Sequence, residues 1–137
     1  MSAAITSEPV AEHGLFRSRE LSESTVLVAA VGEIDAANSA ELRTFVEDHL
    51  GGYQQLVLDL SRLGFLGTDG FSALHAINVR CSRRGIDWVM VPGPEVSRML
   101  RVCDPEGALA TATNIVSAVA ALARGPHRQP QLTPLQS

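Results

Sequence analysis

The stretch QLVLDLSRLGFLGTDGFSALHAINVRC, residues 55–81, decides the fold. Its first six residues, Gln55 to Leu60, are almost continuously apolar, as a strand covered on both faces is. Its second half places Phe71, Leu74, Ile77 and Cys81 on one stripe at helical spacing. Between them lie Gly64, Gly67 and Gly70, which let the backbone turn sharply and leave room for a neighbour. The stretch therefore reads strand, glycine-bearing loop, helix. Thr68 stands where an N-cap belongs, with its hydroxyl expected to accept from the N–H of residue 70 or 71.

The same alternation extends in both directions. Upstream, Leu15 to Leu21 reads as a short strand and Ser22-Glu23-Ser24 as a turn. Thr25 to Val31 (TVLVAAV) reads as a second, buried strand. The short connection predicts an antiparallel hairpin. Asn38 followed by Glu41 has the spacing of a capping box, ahead of Leu42, Phe45, Val46 and Leu50 on one helical face. Gly51-Gly52 stops that helix. Downstream, Gly85 ends the second helix and Ile86 to Val91 forms a fourth strand. Pro94 suits the first turn of a third helix with Val96, Met99, Leu100 and Cys103 inward. Leu109 to Thr111 reads as a short fifth strand. Ile115, Val119 and Leu122 describe a last helix, capped by Thr113 or Asn114.

Helical crossovers before the third, fourth and fifth strands predict parallel pairing. The expected fold is α/β: a single domain with a mixed four- or five-stranded sheet, an N-terminal hairpin and four helices. At 137 residues the chain suits one core. Residues 1–13 are expected to be a flexible segment, 14–124 the domain, and 125–137 a disordered, proline- and glutamine-rich tail.

Composition narrows the function. Apolar residues make up 45% and charged residues 19%, and 15 acidic against 11 basic residues leave a net charge of −4. That is a globular, mildly acidic chain, which argues against nucleic acid as the partner. The N-terminus lacks a basic start and an apolar run, and no strictly apolar stretch is longer than that of Val26 to Val31, which is far short of a bilayer span. A cytoplasmic protein without membrane insertion is expected. His13, His49, His75 and His127 show no metal spacing with each other or with the cysteines, so no metal is expected. No nucleophile elbow, Walker loop or dinucleotide fingerprint is present, so no cofactor is expected. Cys81 and Cys103 each fall on an apolar stripe. Buried free thiols are the plain reading, and a reversible disulfide between them the sharper one. Arg80, Arg83 and Arg84 read as a solvated helix C-terminus.

In strands joined by helices, functional groups gather where strand ends meet helix starts. Those places are 32–39, 61–70 and 92–95. Taken together, Gly32-Glu33-Ile34-Asp35, Leu58-Asp59-Leu60-Ser61 and Thr68-Asp69-Gly70 resemble a STAS domain, and within that family the bacterial anti-sigma factor antagonists. The resemblance spans about residues 14–124. It implies that the protein is not an enzyme. It implies a phosphoacceptor at Thr68, modified by an anti-sigma factor with a kinase-like ATP-binding fold. The unphosphorylated form would bind that factor and free a sigma factor, and a serine/threonine phosphatase would restore it. It places Asp35 in the partner contact; Glu33, Gly67, Asp69 and Gly70 stand beside these positions, Glu33 reading also as a turn-stabilising acid, and Phe65 and Leu66 read either as core or, if exposed beside Thr68, as docking surface. The chain departs from the family pattern in having Gly67 before the acceptor and Asp69 after it. A carboxylate at 69 is expected to stabilise the helix start and to oppose a phosphate added next door. Two other readings stay open: a STAS subunit of a lipid or anion transport system, and a small phosphate-handling enzyme.

Overall fold

A computed structural model of the chain describes residues 11–125. Its elements run β1 (Ala11–His13), β2 (Phe16–Glu20), β3 (Thr25–Ile34), α1 (Ser39–Asp48), β4 (Gln55–Leu66), α2 (Thr68–Arg83), β5 (Asp87–Pro92), α3 (Pro94–Cys103) and α4 (Ile115–Ala123). The strands form one sheet in the order β1-β2-β3-β4-β5. β1, β2 and β3 pair antiparallel, while β3, β4 and β5 pair parallel. The expected mixed sheet, hairpin and four helices are all present.

Alternation along the strands sorts side chains onto two faces. One face carries Phe16, Val26, Val28, Ala30, Leu56, Leu58, Leu60, Trp88 and Met90 into the main core, with Leu42, Phe45 and Val46 of α1, Leu74, Ile77 and Cys81 of α2, and Val96 of α3. The other face carries Leu27, Val57, Val89 and Val91 against Ala118, Ala121 and Leu122 of α4. Two polar links fasten α2, one to the sheet and one to its neighbour α1. Trp88 Nε1 donates to Asn78 Oδ1 at 2.9 Å, and Arg80 of α2 reaches Glu47 of α1 at 3.6 Å.

Four expectations need correction. First, Ala11–His13, placed in the flexible N-terminal segment, form β1. Gly14, at φ +58°, makes the tight reversal that lets this stretch pair with β2 through its backbone. Backbone pairing needs no apolar alternation, so composition gave no sign of it. The rest of that segment and residues 126–137 lie outside the described residues. Second, β4 continues six residues past Leu60, to Leu66, and β3 three past Val31, to Ile34. Two register shifts make this possible: Ala29↔Asp59 is followed by Val31↔Arg62, and Gly32↔Leu63 by Glu33↔Phe65. At each shift β4 contains one residue more than β3, as in a bulge. Gly32, at φ +90°, supplies the backbone bend.

Third, the expected strand at 109–111 is a single bridge, Met90↔Thr111. Two hydrogen bonds hold it, Met90 N–H to Ala110 O at 3.0 Å and Ala112 N–H to Met90 O at 2.9 Å. Fourth, Val119 does not face inward but stands 41% exposed, because α4 seats its small side of Ala118 and Ala121 on the sheet. Asn114 is the cap of that helix, accepting from Ser117 N–H at 2.8 Å.

Candidate functional site

β3 and β4 end side by side, with Ile34 opposite Leu66 and both buried. The Gly67 N–H donates to Ile34 O at 3.0 Å and so fastens the start of α2 to the end of β3. Gly67, extended at φ −83° and ψ −178°, is the N-cap residue. Its carbonyl accepts from Phe71 N–H at 3.1 Å, the first helical bond. Thr68 is therefore the first helical residue and not the cap. Because β4 runs on to Leu66, the single residue Gly67 makes the whole strand-to-helix transition. The Thr68 side chain is exposed and takes part in no hydrogen bond among the described residues. The N–H groups of Thr68, Asp69 and Gly70 have no intrahelical acceptor, as at any helix start.

Around Thr68 the expected site residues separate into surface and support. Glu33, Asp35, Phe65 and Asp69 are exposed; Phe65 keeps 45% of its surface in solvent. Gly67 is half-buried, and a Cβ there would come within 3.2 Å of the Phe65 ring, so the glycine lets the ring lie against the helix start. Leu66 and Gly70 are buried. A Cβ on Gly70 would overlap the Leu66 side chain and approach Ile34 Cγ2 at 3.1 Å. Leu66 thus belongs to the core beneath the site and does not share the exposure of Phe65. The small residue at 70 lets the first turn of α2 sit close to both strand ends.

Asn38 does a job that its spacing to Glu41 did not suggest. Its side chain makes no cap bond to α1. Instead Asn38 Oδ1 accepts from Asp35 N–H and Asn38 Nδ2 donates to Glu33 O, both at 2.9 Å. Asp35 Oδ1 in turn accepts from Ala37 N–H at 2.9 Å. Residues 33–38 form a self-braced turn that holds the Asp35 carboxylate at the surface. The readable signal was an Asp and an Asn three apart directly after a strand, side chains that bond local backbone.

The remaining candidates lie apart from this place. Cys81 and Cys103 are both free, Cys81 wholly buried and Cys103 partly so. Burial pushes the Cys81 thiol up to about 12, with Arg84 pulling it back and Glu47 adding to the rise. A thiol so disfavoured as thiolate is a poor partner for disulfide exchange. The Cys103 thiol lies 3.3 Å from Met99 Sδ. Arg80 and Arg83 occupy the last turn of α2 and Arg84 caps it. Among the described residues no group of His, Cys, Asp and Glu is arranged to hold a metal, and no helix is long and apolar enough to cross a membrane.

Comparison with known proteins gives a consistent result. The family model described as STAS domain matches residues 18–118. Two curated relatives come from Mycobacterium tuberculosis. Osmosensory protein A is 35% identical over 74 residues, covering 54% of this chain and 47% of that protein. The anti-sigma-F factor antagonist RsfA is 34% identical over 85 residues, covering 59% of this chain and 66% of that protein. The chain thus spans about half to two thirds of the length of these relatives. Among solved structures, an anti-sigma factor antagonist from Mycobacterium paratuberculosis superposes with a TM-score of 0.65 at 24% identity, covering 76% of this chain and 90% of that one. That likeness concerns the fold.

Proposed function

The chain belongs to the STAS domain family, and from that premise we propose that it is an anti-sigma factor antagonist whose partner affinity is set by phosphorylation of Thr68. It is a binding protein of the cytoplasm, not an enzyme. It docks on an anti-sigma factor with a kinase-like ATP-binding fold and so releases a sigma factor. The observation that carries this reading is the exposed, unengaged Thr68 hydroxyl on the first residue of α2, between the braced Asp35 turn and the exposed Phe65 ring. The name of one relative, an anti-sigma-F factor antagonist, points the same way.

The chemistry follows from the surroundings. In the transfer, Thr68 Oγ1 forms a bond to the γ-phosphorus of ATP, the bond to the β-γ bridging oxygen breaks, ADP leaves, and the hydroxyl proton passes to a base on the kinase. The product carries about −1.5 to −2 charges. The free N–H groups and the helix dipole favour that charge by roughly 0.3–1 kcal/mol at an exposed site. The Asp69 carboxylate next to it opposes it. Within the protein the two effects oppose each other. At the interface the balance changes, because a dianion pressed against a partner loses its water and is costly unless paired. A phosphatase that removes the phosphate restores binding.

The test mixes the protein with anti-sigma factors from its own genome and ATP, locates any phosphate by mass spectrometry, and measures binding by calorimetry. The expected results are phosphate on Thr68, tight binding of the plain form, and a loss of at least tenfold on Thr68→Glu or phosphorylation. Thr68→Ala should bind like the parent and accept no phosphate. Phosphate elsewhere, or equal affinity of the phosphorylated and plain forms, refutes the switch. Absence of binding to any anti-sigma factor refutes the function itself.

A further inference from the structure

The sheet face that α4 covers is only half covered, and its open half is cationic. Cross-strand register places side chains in rows on this face. One row runs Arg19, Leu27, Val57, Val89, and the next Glu12, Arg17, Ala29, Asp59, Val91; the Val31↔Arg62 pair follows. Among the described residues, α4 packs on Leu27, Val57, Val89 and Val91 and not on the other ends of these rows. There a cavity of about 200 Å³ is lined by Arg17, Arg19, Arg62 and Asp59, with Leu27 in its floor and Ile115 of α4 as one wall.

The cavity lining carries three guanidinium groups and one carboxylate, in a chain whose net charge is −4, and register sets Glu12 of β1 opposite Arg17 at its edge. The ion pairs among the residues whose side chains are described involve Arg43, Arg80 and Arg98. Asp59 is turned to its own strand, with Oδ1 accepting from Ser61 N–H at 3.0 Å and Ser61 Oγ–H at 2.6 Å. Arg19 Nε is the telling atom: it is buried and has no acceptor. A buried donor left unpaired costs about 1–3 kcal/mol, more when charged. Such an unmet donor calls for a cause, and a bound water or ion is one.

We propose that this cavity binds a small amphiphilic anion, a carboxylate or phosphate monoester on a short aliphatic body. The head would accept from the guanidinium groups of Arg17, Arg19 and Arg62 that line the cavity, which suit two-oxygen acceptors. The body would lie on Leu27 and Ile115. The size of the cavity limits that body to a short one. The site is on the open sheet face, separate from Thr68, and does not depend on the role assigned to that residue.

The test is an amide NMR titration of the full chain with hexanoate, hexyl phosphate, inorganic phosphate and hexanol. Saturable shifts centred on Arg19, Ala29 and Ile115 with hexanoate or hexyl phosphate are expected, and the tighter of the two identifies the head group. Removing one charge-assisted contact by Arg19→Gln or Arg62→Gln should weaken binding about tenfold, whereas Arg83→Gln should leave it unchanged. Four results would overturn the site: no saturable shift up to about 10 mM ligand, hexanol binding as tightly as hexanoate, inorganic phosphate matching hexyl phosphate, or shifts centred on Arg83 and Arg84.

Discussion

Replacing Gly93 by alanine probes the contact on which the placement of Thr68 rests. Gly93 is the buried N-cap of α3. A Cβ there would overlap the carbonyl oxygen of Ser61 and lie 2.8 Å from its carbon and 3.0 Å from its Cα. Ser61 falls where β4 carries its first extra residue, the irregularity that redirects the strand towards Phe65 and Thr68. Both sides of the clash are backbone, so no side-chain rotation relieves it. Overpacking usually costs about 1–3 kcal/mol, and a backbone clash belongs at the top of that range. Gly93 has φ −90°, which alanine adopts without strain, and the stiffer unfolded chain returns only about 0.5 kcal/mol. The expected loss is about 2–3 kcal/mol. With a urea m-value of about 2 kcal/mol/M, the midpoint should fall by about 1–1.5 M at unchanged m. Gly64→Ala is the matched control in the same strand: its Cβ would meet only Gly32 O at 3.8 Å, and its stability should stay within about 0.5 kcal/mol of the parent. If Gly93→Ala unfolds at the parent's midpoint, β4 does not bear on α3 in this way, and the account of how the strand reaches Thr68 is wrong.

Other expectations concern single groups. The Cys81 thiol ordinarily titrates near 9 and in the fold near 12. Between those values the unfolded chain has lost the proton and the native one keeps it, so stability should fall as pH rises, by about 1.4 kcal/mol per unit. Urea midpoints measured from pH 8 upward should show this decline, and Cys81→Ala should flatten it at the cost of a small cavity. Asn38→Ala removes two hydrogen bonds that brace the Asp35 turn. It should cost about 1 kcal/mol and speed hydrogen exchange at Asp35 more than in β4. Asn114→Ala removes the α4 cap to Ser117 and should cost about 0.5–2 kcal/mol by thermal melting.

Much of the molecule is written locally. QLVLDL and TVLVAAV are apolar over strand length, and the stripes through Leu42 and Phe45 and through Leu74, Ile77 and Cys81 repeat at helical spacing. Burial of such patterns is dictated by period alone, which is why the sheet, the crossovers and Thr68 at the start of α2 were legible in the chain. Tertiary structure decided what depends on neighbours. Whether β4 stops at Leu60 or runs to Leu66 is a matter of bulged pairing with β3, and that moved Thr68 from cap to first helical residue. Phe65 and Leu66 are adjacent and alike in composition, yet strand alternation turns one outward and seats the other on Ile34. Asn38 braces Asp35 and not its own helix because the strand end presents the closer partners. The three arginines of the cavity come from β2 and β4, 45 positions apart at the widest. Only sheet register brings them to one cavity, since side chains meet across strands through backbone hydrogen bonding that no local pattern of residues encodes.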